Sequence, residues 1–195
     1  MNMIYTDTRS YKIRQFRKVT KNFTFSTLDS HPILYRYIKL TKGIKKPKDG
    51  FFLRAESFYN FATDIDRLDS EKGFGPPIKN SYGGKSLHEQ SHGESFFSLF
   101  LNRLSGNGIY ILDEPEAALS PVRQMSLLCR IHELVKNNSQ FIIATHSPIV
   151  LAYPDSIIYE IKEDIKAVKY EETEHYQVVK AFVDNPNKML KELLR

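Results

Sequence analysis

Apolar residues along the chain form two patterns that alternate: short continuous runs and helical repeats. Continuous runs lie at 51–53, 109–112 and 141–144, as expected for strands buried on both faces of a parallel sheet. Helical spacing separates these runs, in a first stretch at 58–68, a second at 96–104 and a third at 122–135. The alternation predicts an α/β fold in which helices flank a parallel sheet.

The two ends of the chain carry weaker patterns. Residues 1–28 give no firm strand, whereas Ile33, Leu34, Tyr37 and Ile38 share one helical face behind a possible cap at Ser30. Near the C-terminus, alternation predicts a hairpin formed by 156–161 and 165–170. Two short helices should close the chain, at 174–184 and 186–194, with packing as their expected role.

The first candidate for chemistry is the pair of carboxylates that follows the middle apolar run. Asp113 and Glu114 precede Pro115, which cannot continue a strand ladder, so the strand should stop at Glu114. Ligands bind at the carboxyl ends of strands in open α/β sheets. Two acids at that place suit a metal-assisted attack of water on a phosphate, in which one holds the cation and the other activates the water.

A histidine follows the next apolar run. Ser120 and Pro121 mark the start of the intervening helix, and the strand at 141–145 leads into His146. Strand, helix and strand with this connection predict a parallel, right-handed βαβ unit. His146 should therefore lie at the same sheet edge as Glu114, within reach of the same phosphate.

Small and polar residues open the helix at 96–104. Ser91, His92, Gly93, Glu94 and Ser95 precede its apolar face and resemble a helix N-terminus. Free backbone N–H groups and the helix dipole can make such a place an anion site. An ordinary capped helix is the alternative interpretation.

Composition and charge change the picture only slightly. The chain has 195 residues, enough for one domain with a real core, and 41% hydrophobic and 26% charged residues are ordinary for a globular protein. The single cysteine, Cys129, excludes an internal disulfide and is expected to be a buried, inert thiol, with a cytoplasmic location as the default. No apolar run approaches the ~20 residues of a membrane span.

Positive charge is concentrated at the start of the chain. Residues 1–50 hold twelve Lys/Arg against three Asp/Glu, which leaves sixteen against twenty in the remainder. Such asymmetry can mark a nucleic-acid contact. A solvated surface is the simpler explanation, because no aromatic residues are interleaved with the charges in a binding motif.

Three separated elements together resemble a known family. Residues 91–95 are similar to the signature motif of ABC-type ATPases, 109–115 to their Walker B strand with its catalytic glutamate, and 144–148 to their switch-histidine loop. Residues 118–121 correspond to the D-loop, with Ser120 in place of the usual aspartate. The sequences LDEPEAALSP and ATHSP most resemble those of the small bacterial, SMC-like AAA-family ATPases.

This resemblance implies roles for individual residues. Asp113 would bind Mg²⁺ and Glu114 would polarise the attacking water. His146 would contact the γ-phosphate of ATP. The signature residues 91–95 would cover an ATP held by a second subunit, and Ser120 would lie near that nucleotide, so that hydrolysis would need a head-to-tail dimer. The Q-loop would fall near 53–57, where Glu56 or Ser57 replaces the glutamine.

The family's phosphate-binding element is absent from this sequence. No strand followed by G-x-x-x-x-G-K-[ST] occurs, and the segment Gly84–Lys85–Ser86 lacks the first glycine because position 79 is lysine. The resemblance thus implies a P-loop NTPase-like fold in which the first strand and P-loop are missing. We expect one incomplete domain over 1–195, with a helical lobe carrying the signature at about 54–104 and a Walker B and switch-histidine core at 105–195. The chain resembles a family member that has lost its N-terminal part.

Three functions remain open from the sequence. The first is an ATPase that uses ATP and Mg²⁺ and receives its P-loop from another polypeptide or acts as a head-to-tail homodimer. The second is a non-catalytic remnant that serves at most as an interaction module. The third is a DNA-associated, SMC-like accessory protein that binds nucleic acid through the basic residues 1–50.

Overall fold

A six-stranded sheet organises the protein. The computed structural model describes residues 2–6, 47–71, 76–89 and 92–195. The strands are β1 (Asn2–Thr6), β2 (Asp49–Arg54), β3 (Gly108–Asp113), β4 (Gln140–Thr145), β5 (Ile157–Ile161) and β6 (Ile165–Val168). Their order across the sheet is β2-β3-β4-β1-β5-β6.

Helices connect and flank the strands. The α-helices are α1 (Phe58–Ser70), α2 (His92–Asn102), α3 (Pro121–Lys136), α4 (Pro148–Leu151), α5 (Glu174–Asp184) and α6 (Pro186–Leu193). Short 3-10 helices lie at Ala55–Ser57, Ile78–Tyr82, Leu87–Glu89, Pro115–Ala118 and Tyr170–Glu172. Over the described part of the chain, no helix is both long and apolar enough to span a membrane.

The predicted parallel core is confirmed for three strands. β2 pairs with β3 and β3 pairs with β4, both in parallel, and α3 connects the second pair. Parallel pairing brings the carboxyl ends of the three strands to one edge, with Arg54 opposite Asp113 and Asp113 opposite Ala144. The hairpin of β5 and β6 is antiparallel, as its alternation predicts.

β1 is an antiparallel strand that the sequence did not predict, while the absence of the family's first strand and P-loop stays a prediction. Asn2–Thr6 lies inside the sheet and pairs antiparallel with both β4 and β5. Its first residue is opposite Thr145, and its last is opposite Phe141. Five residues with no clear alternation give little sequence signal, but backbone pairing on both sides stabilises a strand regardless of such local preference.

The core lies on one face of the sheet. Neighbouring strands align their buried residues in two rows, Phe51–Tyr110–Phe141 and Leu53–Leu112–Ile143. Buried residues of α1 to α4 join these rows in one apolar cluster. The opposite face is more open, since Phe52 and Ile157 are 42% and 41% exposed.

The buried stripe of α3 differs from the predicted one. Ser120 caps the helix as expected, but Val122 and Met125 near its start are 67% and 52% exposed. The buried residues are Leu127, Ile131 and Leu134. Cys129 is exposed, so the prediction of a buried thiol is wrong; it lies two positions from Leu127, about 200° around the helix.

α5 and α6 contribute little to packing, contrary to expectation. Neither helix contains a buried residue, although each begins where predicted, behind Thr173 and Asn185 respectively. Thr173 itself is fully buried, so α5 is attached to the rest of the protein mainly through its first turn. This attachment becomes important at the candidate site.

Two predictions fall largely outside the described residues. The helix expected near 30–38 lies there entirely. Of the twelve Lys and Arg residues at 1–50, the structure describes only Lys48. Binding of nucleic acid through this region therefore stays a prediction.

Candidate active site

β3 ends in an unusual backbone turn. Glu114 follows Asp113 with φ 51° and ψ 51°, the left-handed conformation, and Pro115 then opens the 3-10 helix Pro115–Ala118. The N–H of Glu114 donates to the carbonyl of Ala144 at 2.9 Å, so the link to β4 extends one residue beyond the strand. A left-handed non-glycine residue costs free energy, and such residues cluster at functional sites.

The carboxylate of Asp113 is paired with an arginine that the sequence did not single out. Arg54 Nε lies 3.2 Å from Asp113 Oδ2, and Arg54 Nη2 lies 3.4 Å from Glu56 Oε2. Desolvation raises the pKa of Asp113, while the guanidinium of Arg54 opposes that rise and the neighbouring Glu114 adds to it. The parallel register of β2 and β3 could have identified this pair, because both residues end adjacent strands.

Glu114 and His146 meet at the ends of β3 and β4. His146 Nε2 lies 3.3 Å from Glu114 Oε1, with both side chains nearly half exposed. The backbone N–H of His146 donates to Glu116 Oε1 at 2.6 Å. Two carboxylates from one turn thus hold the ring and the backbone of the same histidine, and Glu116 Oε2 is left buried without a hydrogen-bond partner.

A second histidine completes this cluster. His175 Nε2 lies 3.1 Å from His146 Nδ1, and the two rings meet edge to face with centroids 5.0 Å apart. Burial lowers the pKa of His175, and the adjacent His146 lowers it further, whereas Glu174 and Glu160 act in the opposite direction. His175 belongs to α5, and no motif in the sequence connects it with His146.

The predicted signature residues lie at the start of α2. Ser91 and the side chain of His92 are outside the described part of the chain. A Cβ on Gly93 would lie 3.4 Å from the carbonyl of Ala118, so the first turn of α2 packs against the 3-10 helix that follows Glu114. Glu94 is exposed, whereas Ser95 is 2% exposed.

Ser120 has a structural role in this protein. Its Oγ accepts a hydrogen bond from the N–H of Arg123 at 3.4 Å and caps α3. The residue itself is exposed, so this cap does not exclude a contact with a second subunit. The arrangement confirms the predicted N-cap and leaves the proposed nucleotide contact as a prediction.

Asp113 fits a magnesium ion as one donor of several. In the described ranges, no three His, Cys, Asp or Glu side chains are grouped so that they could hold a metal ion. Magnesium in nucleotide sites commonly uses one or two carboxylates and completes its shell with phosphate oxygens and water. A single carboxylate at a strand end is consistent with that donor set.

The described residues do not fit the phosphate chain in the same way. Gly84–Lys85–Ser86 connects the 3-10 helices Ile78–Tyr82 and Leu87–Glu89, and no strand precedes it directly. This segment therefore links two short 3-10 helices rather than a strand and an α-helix. Water activation, cation binding and a γ-phosphate contact thus have candidate residues, whereas this segment supplies no cradle for the phosphate chain.

Comparison with known proteins finds one match. The model of the AAA ATPase domain family matches residues 91–151, which include Asp113, Glu114 and His146 but neither Arg54 nor His175. No curated protein and no solved structure matches the chain. The family match supports an AAA-type ATPase and, in general terms, ATP binding and hydrolysis.

Proposed function

We propose that this protein hydrolyses ATP, with Glu114 as the general base. The observation that supports this most directly is the contact between Glu114 and His146, at 3.3 Å, where two parallel strands end. Both side chains remain accessible, as groups that act on a substrate must be. A carboxylate within hydrogen-bond reach of water can accept its proton as the water attacks phosphorus.

The neighbouring residues have complementary roles in this proposal. Asp113 would hold Mg²⁺, which neutralises charge on the phosphate oxygens when it is bound. His146 Nε2–H would donate a hydrogen bond to a phosphate oxygen, and Arg54 would keep the Asp113 carboxyl ionised by its positive charge. Each role uses a side chain at the edge where β2, β3 and β4 end.

A second subunit is part of the proposal. The sequence contains no G-x-x-x-x-G-K-[ST] segment, so we propose that two copies of this chain hold the triphosphate between them rather than in a P-loop. Residues 91–95 and Ser120 would contact the partner's nucleotide in a head-to-tail dimer. The packing of Gly93 beside the turn after Glu114 supports this, because it puts the start of α2 next to the acidic turn.

A non-catalytic interaction module is the second candidate function. One observation favours it: β1 begins at the edge of the sheet that carries the candidate site and ends at the opposite edge. β1 therefore ends at the edge opposite to the candidate site, unlike β2, β3 and β4. Under this alternative Asp113 and Glu114 have no substrate to act on.

Phosphate release from Mg²⁺ and millimolar ATP tests hydrolysis directly. The full chain should release phosphate, and Glu114→Gln should reduce the rate at least about 100-fold, the lower range for loss of a general base. Nucleotide binding, followed with a fluorescent ATP analogue, should be unchanged in this variant. Glu163→Gln is the matched control, because Glu163 is an exposed carboxylate in the β5–β6 turn.

The two candidate functions give different results in these assays. Equal rates in wild type and Glu114→Gln would show that any phosphate release comes from a contaminant. Absence of saturable nucleotide binding as well would favour the interaction module. A rate per chain that rises with protein concentration and disappears in Glu114→Gln would support hydrolysis between subunits.

A further inference from the structure

Three side chains form a continuous line from the end of β3 to α5. Glu114 Oε1 lies 3.3 Å from His146 Nε2, and His146 Nδ1 lies 3.1 Å from His175 Nε2. Both ring nitrogens of His146 are therefore engaged by other side chains. The outer member of this line, His175, is outside the region that matches the family model.

The chemistry of the first contact determines the second. An ionised carboxylate only accepts hydrogen bonds, so His146 must donate from Nε2 to Glu114. A neutral imidazole that donates from Nε2 accepts at Nδ1. The proton between the two rings must then belong to His175, which donates from its own Nε2.

We propose that His175 is a positioning residue that holds neutral His146 as the Nε2–H tautomer, with its ring turned toward Glu114. The hydrogen bond at one imidazole nitrogen commonly sets which form the other nitrogen takes. A phosphate oxygen also accepts only, so this tautomer is the one that His146 needs in the proposed reaction. In that respect the inference rests on the proposed ATPase function.

The first turn of α5 is anchored in a way that fixes the position of His175. Thr173 is buried, and its Oγ1 accepts from the N–H of Tyr176 and donates to the carbonyl of Tyr170. Tyr170 Oη in turn donates to the carbonyl of Pro148 at 2.9 Å, two residues after His146. The turn that carries His175 is thus fastened to the loop that carries His146.

An ion-pair group fastens the same turn to β5. Lys162 Nζ lies 3.2 Å from both Glu160 Oε2 and Glu174 Oε2. Lys162 and Glu174 are exposed, so these pairs are individually weak, but they connect the residue before His175 to the sheet. The remainder of α5, and all of α6, have no buried residue. Contact with the site is the main structural consequence of this anchored turn.

Nitrogen NMR of the imidazoles tests the tautomer without any need for activity. In the full ¹⁵N-labelled chain above the titration range, His146 should show an Nε2–H signal and an unprotonated Nδ1. His175→Phe keeps an aromatic ring but removes the donor, and the loss of one hydrogen bond should make the Nε2–H proton exchange roughly fivefold faster. His175→Gln keeps a side-chain N–H donor and should restore most of the wild-type behaviour.

His132→Phe is the matched control for this measurement. His132 also contacts an aromatic residue, Tyr153, but lies on α3 and makes no contact with His146. Its replacement should leave the His146 signals unchanged. Wild-type His146 protonated at Nδ1, or His146 signals identical in wild type and His175→Phe, would overturn the inference.

Phosphate release provides a second readout that separates this inference from the proposed function. If the wild type hydrolyses ATP, His175→Phe should lower kcat more than it changes KM, and His175→Gln should recover part of the loss. If no variant hydrolyses ATP, the proposed function fails while the NMR result still decides the role of His175. If His175→Phe has the NMR signals and the hydrolysis rate of the wild type, the positioning role of His175 is rejected and the proposed function is retained.

Discussion

Glu114 combines a candidate catalytic side chain with a strained backbone. Its φ of 51° is unusual for a residue with a Cβ, because the left-handed conformation brings Cβ close to the backbone. Its contact with His146 is largely exposed and therefore stabilises little. At this position the carboxylate that we propose as general base occupies a backbone conformation that destabilises the turn.

Two substitutions at this residue should separate strain from side-chain loss. Glu114→Gly and Glu114→Ala both remove the carboxylate, but only glycine relieves the left-handed strain. We expect Glu114→Gly to exceed Glu114→Ala in free energy of unfolding by about 1 kcal/mol in urea titrations. In the last turn of α3, Glu133→Gly should instead be less stable than Glu133→Ala, because glycine lowers helix stability. If the glycine and alanine variants have the same order of stability at positions 114 and 133, the backbone of Glu114 is not strained.

Prediction from sequence succeeds best at individual residues that end buried strands. The apolar runs before Asp113 and His146 placed both residues at one edge, where the structure has them. Arg54 follows the apolar run at 51–53, so the same reasoning could have found it, whereas His175 lies on a helix and no motif includes it. Exposure of Cys129 was missed because apolar neighbours in sequence face a different side of the helix.

At the scale of elements, Asp49 ties the start of β2 to β3 and to the segment after α2. Its carboxylate accepts from Arg103 Nη1 at 3.1 Å, from Tyr110 Oη at 3.1 Å and from Ser105 Oγ at 3.3 Å. The N–H of Gly50 donates to it as well, at 2.8 Å. This network lies at the edge opposite to the candidate site, where the parallel strands begin.

Asp49→Asn should weaken this connection measurably. Asparagine keeps one acceptor oxygen but loses the charge that pairs with Arg103, so we expect unfolding to become easier by roughly 2 kcal/mol. Burial, with Asp49 as a further cause, raises the pKa of Tyr110 to about 12, and the substitution should lower that value. Urea titration and ultraviolet titration of the tyrosines measure the two effects.

Asp164→Asn is the control for this prediction. Asp164 pairs with Lys166 at 3.6 Å, and both side chains are about three-quarters exposed. Its substitution should change neither stability nor the titration of Tyr110. If Asp49→Asn behaves in the same way, the network does not stabilise the fold.

Elements were predicted more reliably than the surfaces that they bury. β3, α3, β4 and the β5–β6 hairpin appear close to their predicted bounds. The apolar repeat of α3, however, continues through Val122 and Met125, which the rest of the described chain does not cover. An apolar repeat in the sequence identifies the apolar face of a helix. It does not show how far along the helix the structure that covers this face extends.

For the molecule as a whole, β1 joins two parts of the sheet. β4 and β5 do not pair with each other; each pairs with β1. Without β1, the described sheet would separate into the parallel strands β2–β4 and the β5–β6 hairpin. The five-residue strand that sequence analysis missed thus has a large effect on the integrity of the sheet.

A proline in β1 should therefore destabilise both the parallel strands β2–β4 and the β5–β6 hairpin. Ile4 is opposite Ile143 and Ile158, so Ile4→Pro removes a backbone donor at the centre of the sheet. We expect a loss on the order of 2–4 kcal/mol, the size of severe single substitutions. Amide hydrogen exchange should accelerate in both β4 and β5.

Lys166→Pro is the comparison for this experiment. Lys166 lies in β6, the edge strand, and is paired only with β5. Faster exchange should then be limited to β5 and β6. Unchanged exchange of β5 in Ile4→Pro would show that β1 does not connect the two parts.

The position of β1 also has a consequence for the order of folding. The pairing of Ile4 with Ile143 joins residues about 140 positions apart, whereas the hairpin of β5 and β6 is entirely local. Non-local pairing slows folding, because the chain loses much entropy before the contacts between the strands stabilise it. The two parts can form separately, but the sheet becomes continuous only when the first residues of the chain meet its last quarter. A ribosome-bound nascent chain would therefore have to keep residues 2–6 unpaired until β4 has emerged, and the other side of β1 would stay unpaired until β5 follows.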